Sequence, residues 1–204
     1  MLSVIPRAEV NFTINTQKEL TVTIDTKSLH MRSIDDSEAD LNSYAGLFGD
    51  KDVVEKYADG KTKTKEEIGK RINDSWVKRW KENDPYSALA VFTKQTEEFS
   101  DEFVGHVVVG YGDKPGQSEM AYLFHKNYWN KGFGTQAVTA LVKDYAPALK
   151  EKGYLLEGEV LTEIQATTRT DNTYSVRILE NLGMEKIDEN EKFGGMRYIY
   201  SIKV

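Results

Sequence analysis

The chain has 204 residues, of which 39% are apolar, and it contains no cysteine. That length suits one domain, which can bury a core without disulfides or a structural metal. The lack of cysteine excludes a disulfide scaffold, a cysteine-based zinc site, an iron–sulfur cluster and a cysteine nucleophile. The formal net charge is −6, which is unlike a nucleic-acid binder, and no apolar run reaches the roughly 18 residues of a membrane span. We therefore expect a cytoplasmic monomer or homodimer that binds neither nucleic acid nor a membrane and holds no metal.

The N-terminal half alternates between strand and helix signals. Period-2 patterns predict three strands, at 10–14, 20–24 and 29–34. Two helices are predicted next, at 36–48 and 52–57. An amphipathic helix follows, which opens with the capping box Thr64–Glu67, ends before Asn83 and carries four large apolar residues at four-residue spacing: Ile68, Ile72, Trp76 and Trp80.

The C-terminal half begins with three strands separated by short loops, which is typical of an antiparallel meander: 87–93, 102–111 and 117–124. The later elements are a helix at 135–146 closed by Pro147, a strand within 154–168, a helix at 173–182, a turn at Gly194–Gly195 and a strand at 196–204. The pattern predicts an α+β fold with one mainly antiparallel sheet flanked by about four helices.

A glycine-bearing loop between a strand and a helix is the most informative stretch. Gly132 and Gly134 leave backbone N–H groups open to an oxyanion, and the helix dipole and Lys131 add positive charge there. The spacing therefore indicates a phosphate or pyrophosphate site, unless the glycines only permit positive φ. A dinucleotide-binding turn is rejected, because seven residues separate Phe124 from Gly132 and the preceding strands are antiparallel.

Two blocks of sequence carry a family resemblance. Glu119-Met120-Ala121-Tyr122 with Trp129-Asn130-Lys131-Gly132-Phe133-Gly134-Thr135-Gln136-Ala137 forms the first, and Asn172-Thr173-Tyr174-Ser175-Val176-Arg177-Ile178-Leu179-Glu180-Asn181-Leu182-Gly183-Met184 forms the second. Both are similar to the GNAT (general N-acetyltransferase) superfamily, and most of all to its ribosomal-protein N-terminal acetyltransferase branch. The resemblance covers 29–204 as an N-acyltransferase domain and leaves 1–28 as an N-terminal strand extension.

The resemblance implies a binding site for acetyl-CoA. It implies a central sheet splayed between its fourth and fifth strands, where backbone groups of Tyr122, Leu123 and Phe124 pair with the pantetheine arm. The loop that includes Asn130, Lys131, Gly132, Phe133, Gly134 and Thr135 would bind the pyrophosphate. Asn172, a helix N-cap in any case, would reach the cofactor arm as well.

The resemblance also implies catalytic residues. Glu119 stands where related enzymes carry a carboxylate base, although a solvated strand-end glutamate is the ordinary interpretation, and His106 is the rival base. Ser175 is either a small packing residue or a hydroxyl that helps the departing thiolate. Many family members place a tyrosine four residues later, where this chain has Leu179.

The expected function is transfer of an acetyl group from acetyl-CoA to a primary amine by direct attack. The acceptor is a small amine or a protein N-terminus, and the acidic chain favours a cationic one. The alternative is a non-catalytic CoA-binding or regulatory module. The apolar residues of the amphipathic helix are expected in the core, although Trp80 or Tyr86 could line the acceptor site.

Overall fold

The computed structural model describes residues 6–95 and 101–204. Their strands form one nine-stranded sheet, in the order β1-β2-β3-β4-β5-β6-β9-β11-β10, and a separate hairpin β7-β8. The bounds are β1 Glu9–Ile14, β2 Leu20–Asp25, β3 Leu29–Ser33, β4 Ala88–Thr93, β5 Phe103–Tyr111, β6 Gln117–Phe124, β7 Leu155–Leu156, β8 Glu159–Val160, β9 Glu163–Arg169, β10 Glu185–Lys192 and β11 Gly195–Lys203. Among these strands β6 and β9 pair in parallel, and the other neighbours pair antiparallel.

Five helices pack on this sheet in the described part of the chain. They are α1 Glu38–Gly49, α2 Lys51–Val54, α3 (Lys65–Arg71, a π-helical segment Ile72–Val77, and Lys78–Lys81), α4 (Phe133–Ala140, a π-helical segment Leu141–Tyr145, and Ala146–Glu151) and α5 Thr173–Asn181. The α+β prediction with a mainly antiparallel sheet is confirmed, with five helices rather than about four.

The start of α3 is fixed by its sequence. The Thr64 hydroxyl accepts the Glu67 N–H at 3.1 Å, and the Glu67 carboxylate accepts the Thr64 N–H at 2.8 Å. Both halves of the predicted capping box are therefore present. The four large apolar residues of α3 are all buried, which confirms that this face of the helix belongs to the core: Ile68, Ile72, Trp76 and Trp80.

Helix α4 is longer than predicted. It begins at Phe133 rather than Thr135 and continues through Pro147 to Glu151. The Ala146 N–H bonds to the Leu141 carbonyl, five residues earlier, so the turn ahead of the proline is widened. A widened turn relieves the crowding between the proline ring and the preceding carbonyls, and the helix continues where a proline would otherwise end it.

Three further segments differ from the predictions, and each turns at residues with positive φ. Helix α2 ends at Val54 rather than at 57, and the chain turns through Ala58, whose φ is 43°. The segment 154–168 contains a tight hairpin ahead of β9, with Glu157 and Gly158 at φ 53° and 86°. The β10–β11 turn uses Phe193 and Gly194, so that Gly195 already lies in β11.

The two faces of the sheet carry different helices. His106 of β5 packs against Tyr44 of α1 and Trp76 of α3. The Phe124 ring lies against Gly134 of α4 on the opposite face. We call these the α1/α3 face and the α4/α5 face. Of the predicted N-terminal extension, β1 and β2 add two strands to the sheet edge, and residues 1–5 lie outside the described residues.

Candidate active site

A gap opens between β6 and β9. The two strands pair at Gln117↔Glu163, Ser118↔Ile164 and Glu119↔Gln165, and no pairing follows although β6 continues to Phe124 and β9 to Arg169. Strand β5, by contrast, pairs with β6 as far as Phe124. Among the residues that the structure describes, one edge of β6 therefore has no partner strand beyond Glu119, as the predicted splay requires.

Backbone alternation decides which groups face this gap. The His125 N–H bonds to the Val104 carbonyl of β5 at 2.9 Å. Because antiparallel pairs alternate along a strand, the backbone groups of Leu123 also point towards β5, whereas those of Tyr122 and Phe124 point into the gap. The Phe124 carbonyl accepts the indole N–H of Trp129 at 2.7 Å.

The glycine loop leads to the open N-terminus of α4. Gly132 is the N-cap with φ 80°, and no side chain of the described part of the chain caps the helix there. A Cβ added at Gly132 would meet nothing within 4 Å, so the glycine is required by its backbone conformation and leaves the helix end accessible. Asn130, with φ 61°, and Lys131 are exposed beside it. The first N–H groups of a helix have no intrahelical acceptor, and they carry its positive dipole.

Three hydroxyl side chains lie by the gap on the α4/α5 face. Asn172 caps α5 by accepting the Ser175 N–H at 3.3 Å, which confirms the predicted cap and fixes Ser175 in the first turn. The Thr168 hydroxyl is buried with no hydrogen-bond partner among the described residues, and the Tyr122 hydroxyl is buried beside the Ser175 side chain. Burial raises the pKa of Tyr122 to about 12, an effect that the neighbouring Ser175 side chain partly offsets.

Glu119 lies at the closed end of the gap on the opposite, α1/α3 face. Its carboxylate is 3.4 Å from the Thr167 hydroxyl and 3.5 Å from the Lys192 ammonium group. Gly112, Asp113, Gln165 and Ile199 also line the shallow cleft beside it. The Glu119 side chain is 37% exposed, so it is open to a solvent molecule or a substrate.

His106, the rival base, is sealed in the core. Aromatic rings of Tyr44, Phe48 and Trp76 surround it, and its relative exposure is 0%. Burial lowers its pKa from 6.5 to about 3. The Tyr57 hydroxyl is 3.4 Å from Nε2, and Nδ1 has no partner among the described residues. A histidine in this position is neutral at physiological pH and is a weak proton acceptor.

A model of the acetyltransferase (GNAT) domain family matches residues 28–185. The chain belongs to this GNAT family. Solved structures agree on the fold. A GNAT-family acetyltransferase from Bacillus anthracis is 22% identical with a TM-score of 0.67, covering 89% of this chain and 98% of that one.

Two more distant GNAT structures have the same fold. The ribosomal α-N-protein acetyltransferase RimL, in complex with coenzyme A, is 14% identical with a TM-score of 0.67, over 96% of this chain and 98% of that one. A Vibrio cholerae spermidine N-acetyltransferase, in complex with CoA and spermine, is 14% identical with a TM-score of 0.65, over 86% of this chain and 95% of that one. At these identities the likeness shows the fold alone.

The GNAT fold brings most of the sequence-predicted residues to one gap. Tyr122 and Phe124 lie along it, Ser175 lies beside Tyr122 with Asn172 as its helix cap, and Glu119 lies where the gap closes. Sequence reasoning missed the Tyr122–Ser175 contact, the buried Thr168 hydroxyl and the Lys192 contact. Period-2 alternation could have assigned Tyr122 to a face, but nothing local marks Thr168 or Lys192.

The described residues contain neither a metal-binding cluster nor a membrane-spanning helix. No group of three or more histidine, aspartate or glutamate side chains that could hold a metal occurs in residues 6–95 and 101–204. Over the same residues, every helix is too short or too polar to cross a bilayer.

Proposed function

We propose that this GNAT protein transfers an acetyl group from acetyl-CoA to the primary amine of an acceptor. The observation that carries the proposal is the gap between β6 and β9, which has an open helix N-terminus at one end and the Glu119 carboxylate at the other. An extended arm with its own amides can pair with an open strand edge. A pyrophosphate suits a helix N-terminus.

The residues at the gap fit such a co-substrate. The backbone groups of Tyr122 and the Phe124 N–H face the open edge of β6, with the backbone groups of Leu123 between them directed towards β5. The loop from Asn130 to Thr135, including Lys131, Gly132, Phe133 and Gly134, would hold the pyrophosphate. The Asn172 oxygen is used by the helix cap, so its amide N–H₂ is the group that would reach the arm.

The reaction proposed is a direct acyl transfer. The amine nitrogen forms a bond to the acetyl carbonyl carbon, the carbon–sulfur bond breaks, and the sulfur keeps the electron pair of that bond. Glu119 accepts the proton that the amine loses, directly or through water. Glu119 is favoured over His106 because its carboxylate opens to the cleft, whereas His106 is buried with a lowered pKa. Ser175 donates a hydrogen bond to the leaving sulfur.

The acceptor is proposed as a small amine or a protein N-terminus. The cleft beside Glu119 also carries the Lys192 ammonium, so it does not have the purely acidic lining that the overall charge of the chain would suggest for a polycation. A panel should therefore include a peptide N-terminus, an amino acid, a polyamine and an aminoglycoside.

The test is the release of CoA from acetyl-CoA in the presence of each amine. Because the chain has no cysteine, a thiol-reactive chromophore reports only the CoA that is formed. We expect one amine to be turned over and acetyl-CoA to raise the melting temperature by mass action. Stabilisation by acetyl-CoA without turnover of any amine would support the non-catalytic CoA-binding or regulatory module instead.

The Glu119→Gln variant tests the base. It keeps the shape of the side chain and removes the proton acceptor, so kcat should fall by about 10²–10⁴-fold while acetyl-CoA affinity holds. Glu159→Gln is the matched control, because Glu159 is exposed on the separate β7–β8 hairpin. A loss of under threefold in Glu119→Gln at saturating acceptor would point to water as the proton acceptor.

A further inference from the structure

The cleft beside Glu119 carries two opposite charges that a solute can reach. The Lys192 ammonium lies 3.5 Å from the Glu119 carboxylate, and the two side chains are 35% and 37% exposed. Two strands, β9 and β11, separate β6 from β10 in the sheet, so Lys192 meets Glu119 over the face of both. An exposed ion pair of this kind adds little to stability, and its position in the cleft therefore suggests a role in binding.

A buried arginine fixes the backbone of Lys192. Arg197 of β11 is 3% exposed, and its guanidinium donates to the Lys192 carbonyl from Nε at 3.3 Å and to the Ala58 carbonyl from Nη2. The ring of Phe193, the next residue, lies 5.3 Å from Lys192 Nζ. The Lys192 side chain therefore extends towards Glu119 from a fixed point at the end of β10.

Arg197 also places a second positive charge near Glu119. Its two hydrogen-bond acceptors are neutral carbonyls, so they leave the charge of the guanidinium in place. Burial, and then the nearby Arg169, lower the pKa of Arg197, whereas the Glu119 carboxylate opposes them. Asp113 also lines the cleft, but it is exposed and its charge is screened by solvent. An anionic group in the cleft would therefore meet Lys192 by contact and Arg197 through its field.

We infer that the acceptor is an α-amino acid, with its amine held at Glu119 and its carboxylate held by Lys192. The inference rests on the proposed function and names the acceptor of that reaction. The amine and the carboxylate of an α-amino acid are attached to the same carbon, so they can meet opposite charges that lie 3.5 Å apart. Binding replaces one charged contact by two. The products are an N-acetyl amino acid and CoA, and Glu119 takes the proton that the amine loses.

Other amines fit the two charges less well. A polyamine or an aminoglycoside has no group for Lys192, and its additional ammonium groups would be repelled by Lys192 and Arg197. At a peptide N-terminus the carbon beside the amine carries a neutral amide in place of the carboxylate. The charges of the cleft therefore select a free amino acid among the amines proposed above.

The test compares amino acids with their α-carboxamides, which keep the amine and the side chain but lack the negative charge. CoA release is measured with a panel of both, and with a polyamine and a peptide, in the wild type, Lys192→Met, Lys192→Glu and Lys186→Met. Lys186 is the matched control. It lies on the same strand, contacts a carboxylate of Glu189 at 3.4 Å and lies over the aromatic ring of Tyr198.

We expect the wild type to have a higher kcat/KM for an amino acid than for its carboxamide. Lys192→Met should reduce this preference at least about tenfold, mainly through KM, because a hydrogen bond between two charged groups is lost. Lys192→Glu should reverse the preference, and Lys186→Met should keep the wild-type ratio. Comparing the ratio between variants cancels the different basicity of the two amines.

An equal loss for amino acid and carboxamide in Lys192→Met would show that Lys192 acts only through Glu119, and the inference would be wrong. Turnover of the polyamine or the peptide in preference to every amino acid would also overturn it, while leaving acetyl transfer intact. Calorimetric titration of amino acids into CoA-saturated protein covers the case without turnover. Lys192-dependent binding would then support amino-acid recognition and refute the proposed function, whereas absence of binding would refute both.

Discussion

Acid sensitivity of the fold should trace to His106. Its ring is fully buried among aromatic side chains, and burial lowers its pKa from 6.5 to about 3. The unfolded chain therefore binds a proton below pH 6.5 that the folded chain does not bind. The stability associated with this difference is complete above pH 6.5 and is lost as the pH falls from 6.5 towards 3.

The size of the effect follows from the lowered pKa. A tenfold change in proton affinity is worth about 1.4 kcal/mol, so the whole range amounts to roughly 4–5 kcal/mol. Between about pH 7.5 and about pH 5 the unfolded histidine titrates while the folded one does not, which costs about 2 kcal/mol of unfolding free energy. Between these two pH values the folded-state histidine stays neutral, so the loss depends very little on the exact folded-state pKa.

The assay is urea unfolding of the wild type and of His106→Phe at these two pH values. Phenylalanine keeps an aromatic ring in the cage and cannot titrate, so the variant should lose about 2 kcal/mol less than the wild type on acidification. Burial also lowers the pKa of His125, but His125 is present in both proteins and cancels. An equal loss in the two proteins would refute the assignment.

The same variant separates the two candidate bases. If Glu119 is the proton acceptor, His106→Phe should retain kcat within about threefold at neutral pH. A loss above about 100-fold with an intact fold would identify His106 as the base. His106→Gln gives a smaller polar replacement if the phenyl ring proves too large, and its pH dependence of stability should be reduced in the same way.

Three further outcomes are expected. Gly134→Glu should weaken acetyl-CoA binding at least about tenfold by isothermal titration, because its carboxylate would repel the pyrophosphate and compete with it for the helix N-terminus, whereas Gly134→Ala, whose Cβ would lie 3.4 Å from the Ile178 side chain, should bind almost normally. Ser175→Ala should lower kcat by about 5–50-fold, or about 1–2.3 kcal/mol. The melting temperature should not change, because the Asn172 cap accepts the backbone N–H of residue 175, which the substitution keeps. Full activity would mean that Ser175 only packs. Hydrogen bonds from Lys203, Ser201 and Gln165 lower the pKa of Glu163 from 4.5 to about 2. Above pH 4.5, Glu163→Gln should therefore reduce the free energy of unfolding by about 1–2 kcal/mol, after allowance for the exposed Lys203. The deficit should vanish as the pH falls towards 2, and a pH-independent deficit would contradict this explanation.

Local signals predicted the elements that local chemistry determines. The capping box at Thr64 and the cap at Asn172 are contacts within one turn of helix, so the residue types and spacing are sufficient to find them. The β4-β5-β6 meander follows from alternation and short loops. The helix that continues through Pro147 was missed, because the widened turn that accommodates the proline leaves no mark in residue types.

The gap itself depends on contacts that are distant in sequence. Tyr122 and Thr168 lie on strands separated by α4 and the β7–β8 hairpin, and β11 enters the sheet between β9 and β10. Loop lengths do not reveal that order. The family resemblance implied a splay, but the particular residues at its edges require the observed register, in which pairing stops at Glu119 and Gln165.

The strand register also determines on which face of the sheet each group of the proposed reaction lies. Alternation places Glu119 on the α1/α3 face and Tyr122, three residues later, on the α4/α5 face. An amine that loses its proton to Glu119 therefore approaches from the first face, whereas Ser175 lies with Tyr122 on the second. The amine adds to the trigonal acetyl carbon, and the tetrahedral intermediate then expels the sulfur, so the proton acceptor and the donor to the sulfur serve different substituents of one carbon. A sheet that stays paired up to Glu119 and opens immediately beyond it lets groups from both faces reach that carbon.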